Sequence, residues 1–386
     1  MAPLGTTAPL AAARAAEGER AASRAIDEAI GSLSAPAGLV LAFPTGIDPA
    51  QAARELSADR AATVIGVTGN GAIAVGGSVE QGCAAIAFDR SLGFGVGIAP
   101  DASRDLREAG RSAAGKALSS LDASDRSGPL LLLFLDTHSG DQSEAIAGAY
   151  EAARSTIPIA GGAAGGSEPA QIVGDRAFRD AVVAVAVDSP GPVGIGAAHG
   201  CRVQSVPSTV TRSEGRLLLE LDGRPAATVY QEKLGLEGLS LPDEAFEKLA
   251  VTHPLAQPEL HGAARIRHVL GRQGNEGLLC ATHIPVNAAV EFTHEAPDDI
   301  IAASSEAVAE ALAPLGERPP RAALLFDCAG RKRAVGAALQ EEVFGLVDSF
   351  PPPPPPLAGL FTHGEVARVR GAKGDLNHAV VVVAFG

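Results

Sequence analysis

The chain has 386 residues, 46% of them hydrophobic, and a formal net charge of −14. That length supplies a sizeable core and two or three domains, or two large halves; with no Trp, one Met and two Tyr, the core is built from Leu, Val, Ile, Ala and Phe. The acidic balance excludes nucleic acid and an anionic membrane surface as partners, because neutralising phosphates takes clustered Lys and Arg and the tight basic run is confined to Arg331-Lys332-Arg333.

In chain order, residues 9–33 are Ala-rich with Arg, Glu and Asp at helical intervals, which predicts a helix, and a strand follows over 38–43. Asp48-Pro49 opens a second helix to about Leu56, since Asp caps well and Pro suits the first helical position. The strand Thr63 to Val67 runs into a G-x4-G turn ending at Gly71, and a hairpin pairing 72–76 with 83–89 is expected next. The same order returns as a helix over 101–121, a strand over 130–135, a helix from Ser143 to Arg154, a strand from Ile157 to Ala160, a turn from Gly161 to Gly166 and a strand over 181–187. Three strands follow at Val193–Ala198, Val206–Thr211 and Arg216–Glu220. The turn at Leu221-Asp222-Gly223-Arg224-Pro225 marks the expected domain boundary. Residues 225–275 read as short helical pieces and loops, 278–292 as a strand pair, and Asp298 to Ala313 as a helix. A third copy then has the strand Leu324 to Asp327, the loop Cys328-Ala329-Gly330-Arg331, the turn Gly359 to Gly364 and the strand Ala379 to Phe385. Between them six prolines, Pro351 to Pro356, make a stiff spacer of about 18 Å.

The recurring unit is helix, strand, helix, strand, hairpin. It predicts a mixed α/β (α+β) fold of mixed sheets with helices on one face. Two such sheets can stack in the order helix, sheet, sheet, helix. The domains expected are an N-terminal helix over 1–35, a first domain over 36–220 and a second over 221–386.

In each copy the first strand ends in small polar residues before a helix: Thr45 and Gly46, then Asp136, Thr137 and Ser139, then Cys328, Gly330 and Arg331. Such loops hold anions on unpaired backbone N–H groups. The glycine turns bring backbone to the same end of the sheet, where parallel strands place ligands. They lack the Lys-Ser/Thr of a phosphate loop, so no nucleotide is read. Arg331 offers a fork for a carboxylate. Glu365 follows the third turn where the others have Ala72 and Ser167, and together with Arg331 it suits a zwitterion. Cys328 is the strongest nucleophile candidate, its thiol expected to be made acidic by the helix start and by Arg331, with His363 or His378 as base. His253, His261, His268, His283 and His294 are too far apart for a zinc motif, and no metal or cofactor is expected. Cys83, Cys201, Cys280 and Cys328 form no C-x-x-C pair, which predicts free thiols in a reducing cytoplasm. Arg14, Glu17, Glu19 and Arg20 interrupt the Ala-rich start, leaving no signal-peptide core, and no stretch approaches a membrane-spanning helix.

Phe326 to Arg331, Thr362-His363-Gly364-Glu365-Val366 and Asn377 together resemble the C-terminal signature of the FIST proteins. Leu221 to Ala226 resembles the segment joining that family's two domains, and Gly66 to Ile73 and Ile159 to Gly166 are similar to its N-terminal domain. Three positions depart from the family pattern: Ala72 stands where Glu is typical, Asp327 where Ser is usual, and His378-Ala379 follows Asn377 where a Thr is expected two residues on. The resemblance implies a cytoplasmic sensory module that binds a small molecule, an amino acid or related carboxylate, and is read by a signalling partner protein. No signalling output domain is recognisable, so a stand-alone sensor is expected. Cys328, Gly330, Arg331, Thr362, Gly364, Glu365 and Asn377 are then the expected ligand contacts. An enzyme using Cys328 for acyl transfer or hydrolysis, and a ligand-free interaction scaffold, are the alternatives.

Overall fold

The computed structural model describes residues 10–58, 60–121, 129–154, 156–259, 263–274, 276–368 and 374–386. The first copy of the repeat comprises β1 (Ala11–Glu17), α1 (Ala21–Gly31), β2 (Ala37–Thr45), α2 (Pro49–Leu56), β3 (Thr63–Val67), β4 (Ala72–Ala74), β5 (Gly77–Val79) and β6 (Gly82–Asp89). The second comprises β7 (Gly93–Pro100), α3 (Leu106–Ser120), β8 (Leu130–Asp136), α4 (Gln142–Ala153), β9 (Ile159–Ala164), β10 (Gln171–Val173), β11 (Arg176–Phe178) and β12 (Ala181–Asp188). The third begins with β13 (Val193–Ala198) and is then interrupted by an insert. The insert holds β14 (Arg202–Val203), β15 (Ser208–Glu214), β16 (Leu217–Leu221), β17 (Arg224–Pro225), α5 (Ala226–Lys233), α6 (Asp243–Thr252), β18 (Leu255–Gln257), β19 (Arg265–Arg267), β20 (Val269–Gln273), β21 (Gly277–Cys280) and β22 (Ala289–His294). The copy resumes with α7 (Pro297–Leu312), β23 (Ala322–Cys328), α8 (Ala329–Val335), α9 (Leu339–Asp348), β24 (Leu357–Thr362), β25 (Glu365–Arg368), β26 (Asp375–Leu376) and β27 (Val380–Phe385).

Each copy centres on one parallel pair, β2 with β3, β8 with β9 and β23 with β24, flanked by antiparallel strands. The hairpins do not return to their own sheets. β4 of the first copy pairs with β24 of the third, β10 of the second with β3 of the first, and β25 of the third with β9 of the second. The exchange is cyclic and ties the three copies into a closed ring. The glycine turns explain the redirection: Gly71, Gly166 and Gly364, the last glycine of each G-x4-G, sit at φ of 119°, 93° and 124°, where a side chain is strained.

The central strands are apolar throughout because both of their faces are buried. Leu39, Leu41 and Phe43 of β2, Leu130, Leu132 and Phe134 of β8, and Leu324 and Phe326 of β23 point into one core shared by all three copies. The alternate residues lie under helices: Val40 and Ala42 under α1 and α2, Leu131, Leu133 and Leu135 under α3 and α4, and Ala323 and Leu325 under α7 and α9. Between any two copies the layers run helix, sheet, sheet, helix, and three copies enclose the core. Glycines let helix backbone lie on the edge strands: a Cβ on Gly97 would stand 2.0 Å from Ala113 O, and one on Gly196 2.0 Å from Ala307 O.

Several expected elements differ. Residues 11–17, expected to be helical, form β1 in register with β6, and the helix starts at Ala21 after Gly18 turns at φ 78°; residue 9 lies outside the described residues. Alanine is compatible with either state, and pairing with the buried β6 decides it. The first hairpin is β4 with β5, while 82–89 forms β6 beside β1 and β2. Strands β21 and β22 are not paired with each other: β21 joins β16 and β20, and β22 joins β14, β15 and β18. Residue 221 ends β16 of the insert, whose β15 and β16 share a sheet with β21 and β22. The prolines join α9 to β24. No helix among the described residues is long and apolar enough to cross a membrane.

Candidate functional site

The carboxyl ends of the three parallel pairs converge, and backbone hydrogen bonds stitch their loops together. Gly165 N donates to Thr68 O at 2.9 Å, Asn70 N to Phe361 O at 2.9 Å, and His363 N to Ala163 O at 3.2 Å. Beside this junction lies a cavity of about 210 Å³. The first copy gives it Asn70, the second Thr137 and Gln142, and the third the Cys328–Gly330 loop, Arg333, Thr362–Gly364 and Asn377. The insert covers it with Arg216, His268, Leu270, Ala281 and Thr282.

Among the described residues no carboxylate lines this cavity, although the chain as a whole carries a net charge of −14. Arg216 and Arg333 both reach it, and neither guanidinium is taken up by an ion pair with a described residue. His363 Nε2 lies 3.1 Å from Asn70 Nδ2, so the amide of one copy holds the imidazole of another. Burial, then the positive charge of Arg333, pushes His363 below the usual histidine range.

The expected ligand contacts divide. Cys328, Gly330, Thr362, Gly364, Asn377 and, from the second copy, Thr137 line the cavity. Asn377 Oδ1 also accepts from His268 N at 3.2 Å, so it anchors the insert to the third copy. Arg331 does not reach the ligand space, which corrects its expected role. Its side chain is fully buried, and its donors are consumed by Asp327 Oδ1 at 2.9 Å, Glu342 Oε1 at 2.7 Å, Ser304 Oγ at 2.8 Å, His199 O at 3.0 Å and Ile300 O at 3.1 Å. Two residues on, Arg333 faces the cavity instead, because successive positions two apart on a helix point to nearly opposite sides. Glu365 is also withdrawn: it lies buried beneath the cavity wall, accepting from Thr362 Oγ1 at 2.7 Å and Ala379 N at 3.2 Å.

The Cys328 thiol was expected to be acidic; burial, then the neighbouring Glu365, pushes it well up. Of the other loops, Thr45 is occupied with Gly69 O and Glu80 O, both at 3.3 Å, and lies with Gly46 at a separate shallow hollow. Asp136 is a cap, accepting from His138 N at 2.8 Å and Asp180 N at 2.7 Å, and Ser139 donates to Asp180 Oδ1 at 2.7 Å.

The sequence reading missed a chain of buried polar groups behind the cavity. Glu295 Oε2 lies 2.7 Å from His378 Nδ1, His378 Nε2 lies 2.6 Å from His268 Nδ1, and Cys201 Sγ donates to Glu295 Oε1 at 3.0 Å. His378 sits in the left-handed region at φ 52°, a conformation uncommon for a side-chain-bearing residue. The one signal in the sequence is His378 next to Asn377; His268 and Glu295 come from the insert.

Two family models account for most of the chain: FIST N domain over residues 38–224 and FIST C domain over residues 226–368. The chain belongs to the FIST family. Domains of this family are sensor domains of signal transduction. An uncharacterized protein of Mycobacterium bovis is 31% identical over 216 residues, 51% of this chain and 52% of its own length. An uncharacterized protein of Mycobacterium tuberculosis is 31% identical over 221 residues, 51% of this chain and 53% of its own. The chain thus spans about half the length of the curated relatives it matches. Among solved structures, a cyanuric acid hydrolase from A. caulinodans aligns over 98% of this FIST chain and 99% of its own, at 11% identity and a TM-score of 0.40.

Proposed function

We propose that the protein is a cytoplasmic sensory module whose ligand is a small carboxylate, an amino acid or a related acid, held in the cavity where the three copies meet the insert. One observation carries the reading: among the described residues the cavity presents two arginines with no ion-pair partner, two histidines, amides and hydroxyls, and no carboxylate. An arginine fork grips a carboxylate through two charge-assisted hydrogen bonds. The amino group of an amino acid would meet amides and hydroxyls there, since Glu365 is behind the wall.

A ligand touching Arg216 on the insert and Arg333 on the third copy favours the state in which the two are closed on each other. It shifts that population by its differential affinity for it. A signalling partner protein would read the position of the insert. The test is calorimetric titration with amino acids, 2-oxo acids and dicarboxylates, on the parent protein and on Arg216→Ala and Arg333→Ala. Loss of one charge-assisted pair corresponds to about 1.5–3 kcal/mol, or roughly a 10- to 100-fold weaker ligand. Carboxylates that bind with equal affinity to all three proteins, or to none, refute the site.

A further inference from the structure

Two features of this cavity exceed what holding an anion requires. The first is the chain from Glu295 through His378 to His268. Glu295 and His378 are 2% and 0% exposed. Burial opposes a charge on Glu295, yet His378, Cys201 and Arg331 hold it below the usual carboxylate range. An ionised carboxylate only accepts, so His378 carries its proton on Nδ1. With His378 neutral, its Nε2 accepts the Nδ1 proton of His268, which leaves the lone pair on His268 Nε2. His268 lines the cavity, and burial above all pushes it well below its ordinary range. The imidazole is therefore a neutral base at the wall of the ligand space.

The second feature is the setting of the Cys328 sulfur at that wall. Gly330 N donates to it at 3.3 Å. Glu365 is buried beside it, and burial pushes its carboxyl up to about 7. Burial and Glu365 keep the resting thiol protonated, and the Gly330 N–H is aimed at the charge that the sulfur carries once its proton has left. The glycine at position 330 is required by the same arrangement: a Cβ there would stand 2.9 Å from His378 Nε2 and 3.3 Å from Cys328 Sγ.

We propose that the cavity is a thiol-dependent acyl-transfer site, in which Cys328 is the nucleophile and His268 the base that hydrolyses the acyl-enzyme of a small carboxylate-bearing ester or thioester. In the first half-reaction the thiol proton passes to Glu365. Sulfur bonds to the carbonyl carbon, and the bond to the leaving alkoxide or thiolate breaks, the leaving group taking its proton from solvent. In the second, His268 Nε2 takes a proton from water, and the hydroxide oxygen bonds to the carbonyl carbon. The C–S bond electrons return to sulfur, which recovers its proton from Glu365, and His268 gives its proton to solvent in place of the one the leaving group took. The sum is ester plus water giving acid plus alcohol. Cys328 and His268 are the catalytic residues, and His378 and Glu295 are positioning residues.

This activity rests on the carboxylate-binding reading for its choice of substrate, so binding and chemistry are measured separately. The probes are the mono-4-nitrophenyl ester of succinic acid and iodoacetate, each a small carboxylate carrying an electrophile, with succinate as the non-reactive ligand. Expected are a burst of one nitrophenolate per chain, a succinyl group mapped to Cys328, and alkylation of Cys328 by iodoacetate that saturates and is blocked by succinate. Cys328→Ala loses burst and adduct but still binds succinate. His268→Gln accumulates the adduct, its hydrolysis slowed at least 10-fold. Glu295→Gln displaces the pH profile of that hydrolysis, which a purely structural role would not do. Succinate binding without an adduct on Cys328 from either probe overturns the inference and leaves the sensory reading standing. An absence of both overturns both.

Discussion

Replacing Arg331 by Met separates the two roles that an arginine next to this site can have. The guanidinium is completely enclosed and is shared between Asp327 and Glu342, themselves 1% and 0% exposed at the side chain. Met keeps most of the apolar stem but leaves both carboxylates without their cation. Removing one partner of a buried ion pair costs about 3–5 kcal/mol, because the remaining charge is buried and uncompensated. Against a typical domain stability of about 5–15 kcal/mol, that is a large fraction of the whole. Urea unfolding followed by circular dichroism should show a midpoint well below the parent's, while the folded fraction binds carboxylates with parental affinity. Arg333→Ala should behave in the opposite way, with stability within about 0.5 kcal/mol of the parent and weakened binding. An Arg331→Met protein as stable as the parent yet unable to bind would refute the reasoning and return Arg331 to the ligand site.

Glu365 makes stability depend on pH. Its folded pKa is raised from 4.5 to about 7, so between these values the folded protein keeps a proton that the unfolded chain has lost. Its stabilising effect is complete below about 4.5 and is lost as pH rises through 7, a change of about 3 kcal/mol. Glu365→Gln should therefore gain about that much relative to the parent between pH 4.5 and pH 8; a difference that stays flat with pH would count against it. Two glycines of the same helical layer should respond with opposite signs. A Cβ on Gly148 would stand 1.8 Å from Arg107 O, so Gly148→Ala should push α3 and α4 apart and lower stability by about 1–3 kcal/mol or more, whereas Gly115→Ala, with nothing within 4 Å, should raise it by up to about 1 kcal/mol in the same thermal melts. Gly364→Ala must force φ 124° on a side chain and meet Gln142 Oε1 at 2.6 Å. Amides of β25 that pair with β9 should then exchange with solvent faster than in the parent, and unchanged protection would show that the turn does not direct the hairpin.

What spans a few residues was legible in the sequence. Asp48 caps its helix through Gln51 N at 2.8 Å, as its place before Pro49 implied. The three parallel strand pairs lie where the apolar runs lie, and the mixed sheets with helices on one face follow from their repetition. The loop residues Cys328, Gly330, Thr362 and Gly364 do meet at one cavity, because the carboxyl ends of parallel neighbours coincide. Tertiary structure decided the rest. A G-x4-G turn announces a change of direction but not whose sheet receives the hairpin, and here it is always another copy's. Residues 331 and 333 are both arginine, and helical geometry sends them to opposite sides without saying which side is the interior. The relay joins His378 to His268 across 110 residues and to Glu295 across 83, distances at which the order of residues carries no signal. Spacing along the chain encodes neighbours within a turn or a strand. Burial, and with it the charge state of Arg331, Glu365 and the histidines, exists only after three copies and an insert have closed around the same space.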